Sequence, residues 1–357
     1  MNLHHKQEIV IKSHILKRDA PHLYTIDLLR GVAAIMVVLF HYSSTGLSKL
    51  TNEPARNLFS NGYLGVEIFF VISGFIIPFT LNKSNYSAKN FLSYMGKRIT
   101  RICPPAYIIM ILTILQFYFI DYFHLSKNIW FETITFTRVV HNFLFIADLT
   151  HYEWLTGIMW TLAVEFQFYI FVGLFFTLMY KNFRSFSIFT LAICGSFYLI
   201  PSNYKCFFLY GSLFVMGGAA SLFFEGKILK SQYIGLLLIT AIVCYLQLGI
   251  WPAILGTLTA LLISFASIKN SIGTFLGKIS YSLYLSHILV GSTIENLIVK
   301  IIPHQSQLQK NFCITLIFGI SILAAYIYYS TVELYFLRFS NYLFGQKTEH
   351  KESIAVV

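Results

Sequence analysis

Apolar runs of about 17–24 residues recur along nearly the whole chain, each long enough to cross the hydrocarbon of a bilayer as an α-helix. Nothing else in the sequence constrains the fold as tightly, because a lipid-buried backbone must satisfy its hydrogen bonds within its own segment. The 357 residues would otherwise accommodate two soluble domains. Composition excludes that: 56% of residues are hydrophobic and only 11% are charged, with a mean hydropathy of +0.67. The fold class is therefore all-α, a polytopic membrane bundle of about ten transmembrane helices. The spans fall near residues 24–44, 62–81, 104–124, 158–180, 185–201, 206–224, 233–250, 253–268, 279–302 and 311–333. A basic segment, 1–23, precedes this membrane domain (24–334), and a short tail, 335–357, follows it. Residues 82–101, with Phe91, Met95, Arg98 and Ile102 at helical spacing, read as a separate helix in the inner interface. Pro104 and Pro105 then mark the first turn of the third span. The segment 125–157, carrying Trp130 and Trp154, is expected to dip into the opposite interface.

An even number of spans leaves both termini on one side. The loops and tails of that side hold 18 Lys and Arg and the opposite segments seven, with Arg30 completing the 26. This bias makes the terminal side cytoplasmic. The net charge of +11 then reports topology and points to no nucleic-acid partner. The five cysteines stand singly, without zinc or redox spacing, and read as small apolar packers. No signal peptide is expected at the basic, polar N-terminus.

Within the first span, Arg30 and His41 are eleven residues apart. In a helix that is about 16 Å of rise and about 20° past a common azimuth, so both project from one face. A cation stranded in hydrocarbon costs on the order of 3 kcal/mol, so that face belongs against a protein interior or wet cavity. Snorkelling of Arg30 to lipid phosphate and a plain interhelical hydrogen bond from His41 form the bland alternative. The second span opens Gly62-Tyr-Leu-Gly65-Val-Glu67 and continues to Ser73-Gly74-Phe75. Its glycines suit close helix packing, whereas Glu67 needs a partner inside the membrane, for which Arg30 and His41 are candidates.

Arg98 and Arg101 put two guanidiniums on one helical side at the cytoplasmic interface, to anchor anionic lipid or to grip a phosphate-bearing ligand. In the fourth span Glu165 and Tyr169 share a face at i, i+4, and Glu165 lies at a depth from which it could orient the His41 imidazole. Ser280, Tyr284 and His287 form a stripe in the ninth span, where His287 reads first as a helix–helix hydrogen-bonder. Asp148, His151 and Glu153 could hold a metal, but a solvated loop is the simpler reading, and no metal is expected.

Taken together, these stretches resemble the acyltransferase-3 family of integral-membrane acyltransferases. The family's Arg-x10-His signature stands as Arg30 to His41, its Gly-Val-acidic stretch as Gly65 to Phe75, and its Arg-x-x-Arg pair as Arg98 and Arg101. Glu165 to Tyr169 matches its Glu-x-Gln-Phe-Tyr element, and Ser280 to His287 its Ser-Tyr-x-x-Tyr-Leu-x-His element. Three positions depart from the pattern: Phe166 replaces a second acidic residue, Ala106 precedes the aromatic Tyr107, and a proline near His287 is missing.

The resemblance implies an O-acyltransferase of the bacterial inner membrane, with an acyl-CoA donor (acetyl-CoA first) and a hydroxyl of a surface glycan as acceptor. Lipopolysaccharide O-antigen and exopolysaccharide are the acceptors of that kind. His41 would be the general base, oriented by Glu67 or Glu165, or would itself carry the acyl group. Arg30 or a tyrosine would stabilise the oxyanion while Arg98 and Arg101 hold the CoA phosphates. Tyr169, Tyr284, His287 and Ser73 are assigned to substrate binding or structure. A channel from the arginines, past Arg30, should end at His41. With only a short tail, the membrane domain is expected to act alone or with a partner. The rival reading is a proton-coupled transporter, since Arg, His and Glu inside a bundle also make proton relays; a purely structural assembly protein is a third.

Overall fold

The computed structural model describes residues 21–45, 53–124, 131–199, 205–302 and 306–345. The basic segment before Pro21, Trp130, the first residues of the turn at Pro201 and everything after Gly345 lie outside the described residues. No strand occurs among the described residues. In chain order the helices are α1 (Pro21–Phe40), α2 (Glu53–Phe59), α3 (Gly65–Lys83), α4 (Phe91–Tyr122), α5 (Phe136–Phe143) and α6 (Met159–Met179). They continue as α7 (Phe183–Ser196), α8 (Gly211–Phe224), α9 (Lys230–Leu248), α10 (Ile250–Phe265), α11 (Ser271–Ile301), α12 (Gln307–Tyr328) and α13 (Leu334–Phe344).

Among the described residues, seven helical segments are long and apolar enough to cross a membrane: Tyr24–Ser43, Arg56–Lys83, Ala88–Tyr122, Met159–Met179, Lys230–Leu248, Ser271–Ile301 and Gln307–Phe344. Three further apolar helices, Phe183–Leu199, Gly211–Phe224 and Ile250–Phe265, are shorter and stand where spans five, six and eight were expected. At about 1.5 Å per residue α8 is only about 21 Å long, less than the roughly 30 Å of hydrocarbon. Its residues from Gly211 to Leu222 are all buried. A helix that is apolar all round and covered on every side is packed among other helices rather than against lipid.

Small residues set the crossings that position the site. A Cβ on Gly277 of α11 would stand 2.5 Å from the Asp27 carbonyl oxygen of α1, and one on Gly31 would stand 2.6 Å from Leu276 Cβ. These two helices therefore touch backbone to backbone. On the other flank, Gly65 lies against the Ala33 carbonyl of α1, Gly74 against the Phe214 carbonyl of α8 and Gly217 against the Val71 carbonyl. α3 is thus clamped between α1 and α8.

One expectation needs correction here. Residues 91–122 form one continuous helix of 32 residues with Pro104 and Pro105 in its interior, in place of an interfacial helix followed by a new span. Prolines in a helix interior withdraw donors from the preceding turn. Tyrosine hydroxyls from other helices brace that stretch: Tyr281 of α11 donates to the Ile102 carbonyl at 2.8 Å, and Tyr328 of α12 donates to the Pro105 carbonyl at 2.6 Å. The tail from Tyr335, amphipathic at first in the sequence, begins as helix: a π-helical stretch, Tyr329–Glu333, leads into α13. α13 lies along the start of α4, where Ser340 Oγ donates to the Lys97 carbonyl at 2.8 Å and Phe344 packs over Gly96. The amphipathic beginning of α4 is therefore covered by protein.

Candidate active site

α1, α3, α4, α6 and α11 enclose a cavity with about 930 Å³ of empty space. α3 presents Val66, Phe69, Ser73 and Ile76 to it, the i, i+3, i+7, i+10 positions of one helical face. Arg30, Arg98 and Arg101 line the opposite end from Val66 and Thr161. Arg30 Nε donates to Ser280 Oγ at 3.2 Å. The Arg98 guanidinium lies over the rings of Tyr94 and Tyr169, at 5.9 and 5.5 Å from their centroids. Arg101 has Arg98 and Arg30 as like-charged neighbours and Glu333 as a nearby carboxylate. Among the described residues, no carboxylate oxygen comes within ion-pairing distance of these three cations. Three guanidiniums converging without a paired anion make a receptor for phosphate-like charge.

Midway up the cavity the Ser73 hydroxyl donates to Glu165 Oε1 at 2.5 Å, joining α3 to α6. The Tyr169 hydroxyl reaches the same carboxylate, one turn further along α6. The far end of the cavity is closed by Phe69, Thr161 and Tyr284; the Tyr284 and Thr161 hydroxyls are 2.7 Å apart, and Tyr284 also donates to the Ile158 carbonyl at 3.2 Å.

One turn beyond that layer two histidines meet. His287 Nε2 of α11 lies 3.3 Å from Nδ1 of His41, the residue that follows α1, and His287 is fully buried. Their protons can be assigned from their partners. His287 Nδ1 faces two carbonyl oxygens, Tyr284 at 2.7 Å and Leu283 at 3.2 Å, so it carries the hydrogen and leaves Nε2 as an acceptor. His41 Nδ1 faces the Val37 carbonyl at 2.9 Å, so it too is protonated and is shared with His287 Nε2. The lone pair of a neutral His41 is thereby placed on Nε2. Tyr42 fixes the same crossing by donating to the His287 carbonyl at 2.8 Å and bonding Ser321 Oγ at 2.6 Å. The α-helix of the first span widens to a π-helix at His41, a local irregularity common at functional sites.

The structure brings Arg30, Arg98, Arg101, Ser73, Glu165, Tyr169 and Tyr284 to one cavity and joins His41 to His287. It departs from the sequence reading at both carboxylates. Glu165 is held by Ser73 and is not hydrogen-bonded to His41, whose ring turns toward α11. Glu67 pairs with neither Arg30 nor His41: it shares a face with Val71 and Gly74, the face clamped on α8, and its Oε2 has no hydrogen-bond partner. The imidazole of His41 is thus oriented by a second histidine, not by a carboxylate. The cavity also ends at the Thr161–Tyr284 layer, with His41 outside its lining. Sequence reasoning missed Glu333, buried in the second π-helical stretch, where it accepts a 2.6 Å hydrogen bond from Ser282 Oγ. Its signal was an acidic residue at the end of an apolar run.

Fold and site together define a multi-pass helical membrane protein with a cationic intramembrane cavity beside a histidine pair. The chain belongs to the acyltransferase-3 family, whose model, an acyltransferase domain, matches residues 23–331. It is similar to O-acetyltransferase OatA of Staphylococcus aureus (strain NCTC 8325 / PS 47), 28% identical over 166 residues, covering 44% of this chain and 25% of that protein. An O-acetyl transferase of Shigella phage Sf6 is 34% identical over 158 residues, 41% of this chain and 44% of the phage protein. Peptidoglycan O-acetyltransferase OatA of Listeria monocytogenes is 28% identical over 157 residues, 41% of this chain and 23% of that protein. The chain thus spans less than half the length of each of these relatives. No solved structure matches it.

Proposed function

We propose that the protein is an O-acyltransferase of the bacterial inner membrane, with ten spans and both termini in the cytoplasm. It moves an acyl group, acetyl first, from acyl-CoA to a hydroxyl of a surface glycan such as O-antigen, exopolysaccharide or peptidoglycan. The observation that carries this reading is the pairing of two half-sites on crossing helices. Three guanidiniums with no carboxylate partner among the described residues line one end of the cavity, and the coupled histidines lie one turn beyond its other end. Arg98 and Arg101 grip the CoA phosphates, and the positive-inside bias supports placing them on the cytoplasmic side. The pantetheine arm runs up the cavity past Arg30, whose separation from His41 along α1 is about 16 Å. The acyl group must pass the Thr161–Tyr284 contact to reach His41.

At the histidines, His41 Nε2 takes the proton of the acceptor hydroxyl as its oxygen attacks the thioester carbonyl. The Nδ1–H of the imidazolium formed donates more strongly to His287 Nε2, which stabilises the new charge. The Tyr284 hydroxyl, one turn before His287, turns to donate to the developing oxyanion. Collapse of the tetrahedral intermediate breaks the C–S bond; His41 returns its proton to the CoA thiolate, leaving the ester and free CoA. The names carried by the relatives support an acetyl group and a glycan acceptor. The test is mass spectrometry of surface polysaccharide from cells carrying the protein, lacking it, or carrying His41→Ala. Acetyl esters should be present only in the first. Equal acetylation in all three, with the variant inserted normally, would refute the assignment.

A further inference from the structure

A second cavity, with about 1270 Å³ of empty space, opens between α4, α5 and the start of α6. Tyr152, Trp154 and Trp160 line it beside Arg138, Asp148 and Lys205. Its walls are built rigidly. The wholly buried Asn142 accepts from the Leu155 backbone at 2.7 Å and donates to the Arg138 and Glu153 carbonyls at 2.9 and 3.0 Å. The Arg138 guanidinium donates to the Glu153, Trp154 and Thr133 carbonyls at 3.1, 3.1 and 3.2 Å. His151 is held at φ 60°, the left-handed region that side-chain-bearing residues rarely adopt. Strain of that kind persists where the surroundings over-determine the backbone, and it clusters at ligand clamps. Asp148 Oδ2 and Trp154 Nε1 are buried without a hydrogen-bond partner, an acceptor and a donor left unsatisfied on cleft residues.

The floor of this cleft is also the ceiling of the arginine cavity. Gly157 and Trp160 line the cleft, while Thr161 and Leu162 line the cavity. The Ile158 carbonyl and Thr161 hydroxyl, between and beside them, hold Tyr284, one turn before His287. A single turn of α6 therefore separates the cleft from the arginine cavity, and that turn holds Tyr284, three residues before His287.

We propose that this cleft seats the acceptor as a saccharide, its pyranose rings stacked on the Tyr152 and Trp154 faces and one hydroxyl delivered toward His41. Pyranoses carry an apolar C–H face that suits aromatic rings and a rim of hydroxyls that suits fixed polar groups, the combination lining this cleft. Lys205, 4.7 Å over the Trp160 ring, adds a cation at the rim. The assignment of the delivered hydroxyl rests on His41 as the base; the saccharide site itself does not.

The test uses the full chain in lipid nanodiscs and, as probe, surface polysaccharide from the host cells stripped of acetyl esters by mild alkali. Titrated without donor, it should change the indole emission of the wild type saturably. Tyr152→Ala, a partly exposed side chain, and Trp154→Ala should each weaken that binding, and raise the KM for polysaccharide, at least tenfold. The KM for acetyl-CoA should stay within twofold. Unchanged polysaccharide affinity in both variants overturns the proposal, as does an emission change produced by anionic lipid vesicles in place of polysaccharide. If the wild type binds polysaccharide at the cleft but transfers no acetyl group, the proposed function fails and the saccharide site stands. If His41→Ala abolishes transfer while both cleft variants behave as wild type, the cleft fails and the base stands.

Discussion

Removing the acceptor that His287 offers to His41 should slow the chemical step without weakening substrate binding. In the resting site His41 Nδ1 shares its proton between the Val37 carbonyl at 2.9 Å and His287 Nε2 at 3.3 Å. A neutral hydrogen bond of that kind is worth about 0.5–1.5 kcal/mol net, and a charge-assisted one about 1.5–3 kcal/mol. Only the difference, about 1–1.5 kcal/mol, is gained when His41 takes the acceptor's proton, and it corresponds to roughly five- to fifteenfold in kcat. The length of the bond favours the lower half of that range. His287→Gln places an amide oxygen about where Nε2 stood and should keep most of the activity; His287→Ala should lose the full factor. Because His287 is fully buried, the alanine also leaves a cavity costing about 2–3 kcal/mol of stability, so rates must be referred to folded protein. The assay is transfer of labelled acetyl from acetyl-CoA to alkali-stripped polysaccharide, with kcat and both KM values fitted separately. Equal losses in the Gln and Ala variants would show that packing, not an acceptor, is what His287 supplies; equal rates in all three would remove it from the reaction.

Arg101→Lys keeps the charge but loses the forked donor geometry, and should raise the KM for acetyl-CoA about tenfold with polysaccharide KM unchanged; unaltered donor affinity with a new dependence on anionic lipid would make the pair a membrane anchor. Gly277→Ala drives a methyl into the Asp27 backbone, which cannot move aside, and should cost about 1–3 kcal/mol in thermal unfolding while loosening the crossing that aligns His41 with His287. Gly235→Ala, whose Cβ would meet nothing within 4 Å, is the matched control; equal melting of the two variants would contradict the crossing described above.

What the sequence determined alone is whatever follows from local periodicity and local solvent preference. Long apolar runs dictate membrane-length helices wherever they fold. The eleven-residue interval puts Arg30 and His41 on one face of a helix whatever its neighbours are, and the same arithmetic stacks Ser280, Tyr284 and His287. Tertiary structure decided what those faces meet, since hydrogen-bond partners lie up to 279 residues away in the chain and no helical period encodes them. Pro104 and Pro105 sit inside a helix rather than starting one, in a stretch braced by two tyrosine hydroxyls from α11 and α12. Glu165 and Glu67 look alike as carboxylates in apolar runs. One azimuth on α6 gives Glu165 the Ser73 hydroxyl, and another on α3 turns Glu67 toward α8. The partner of His41 could be read only from the crossing of α1 and α11. There, glycines at 31 and 277 let two backbones approach closely enough for two imidazoles to share a proton.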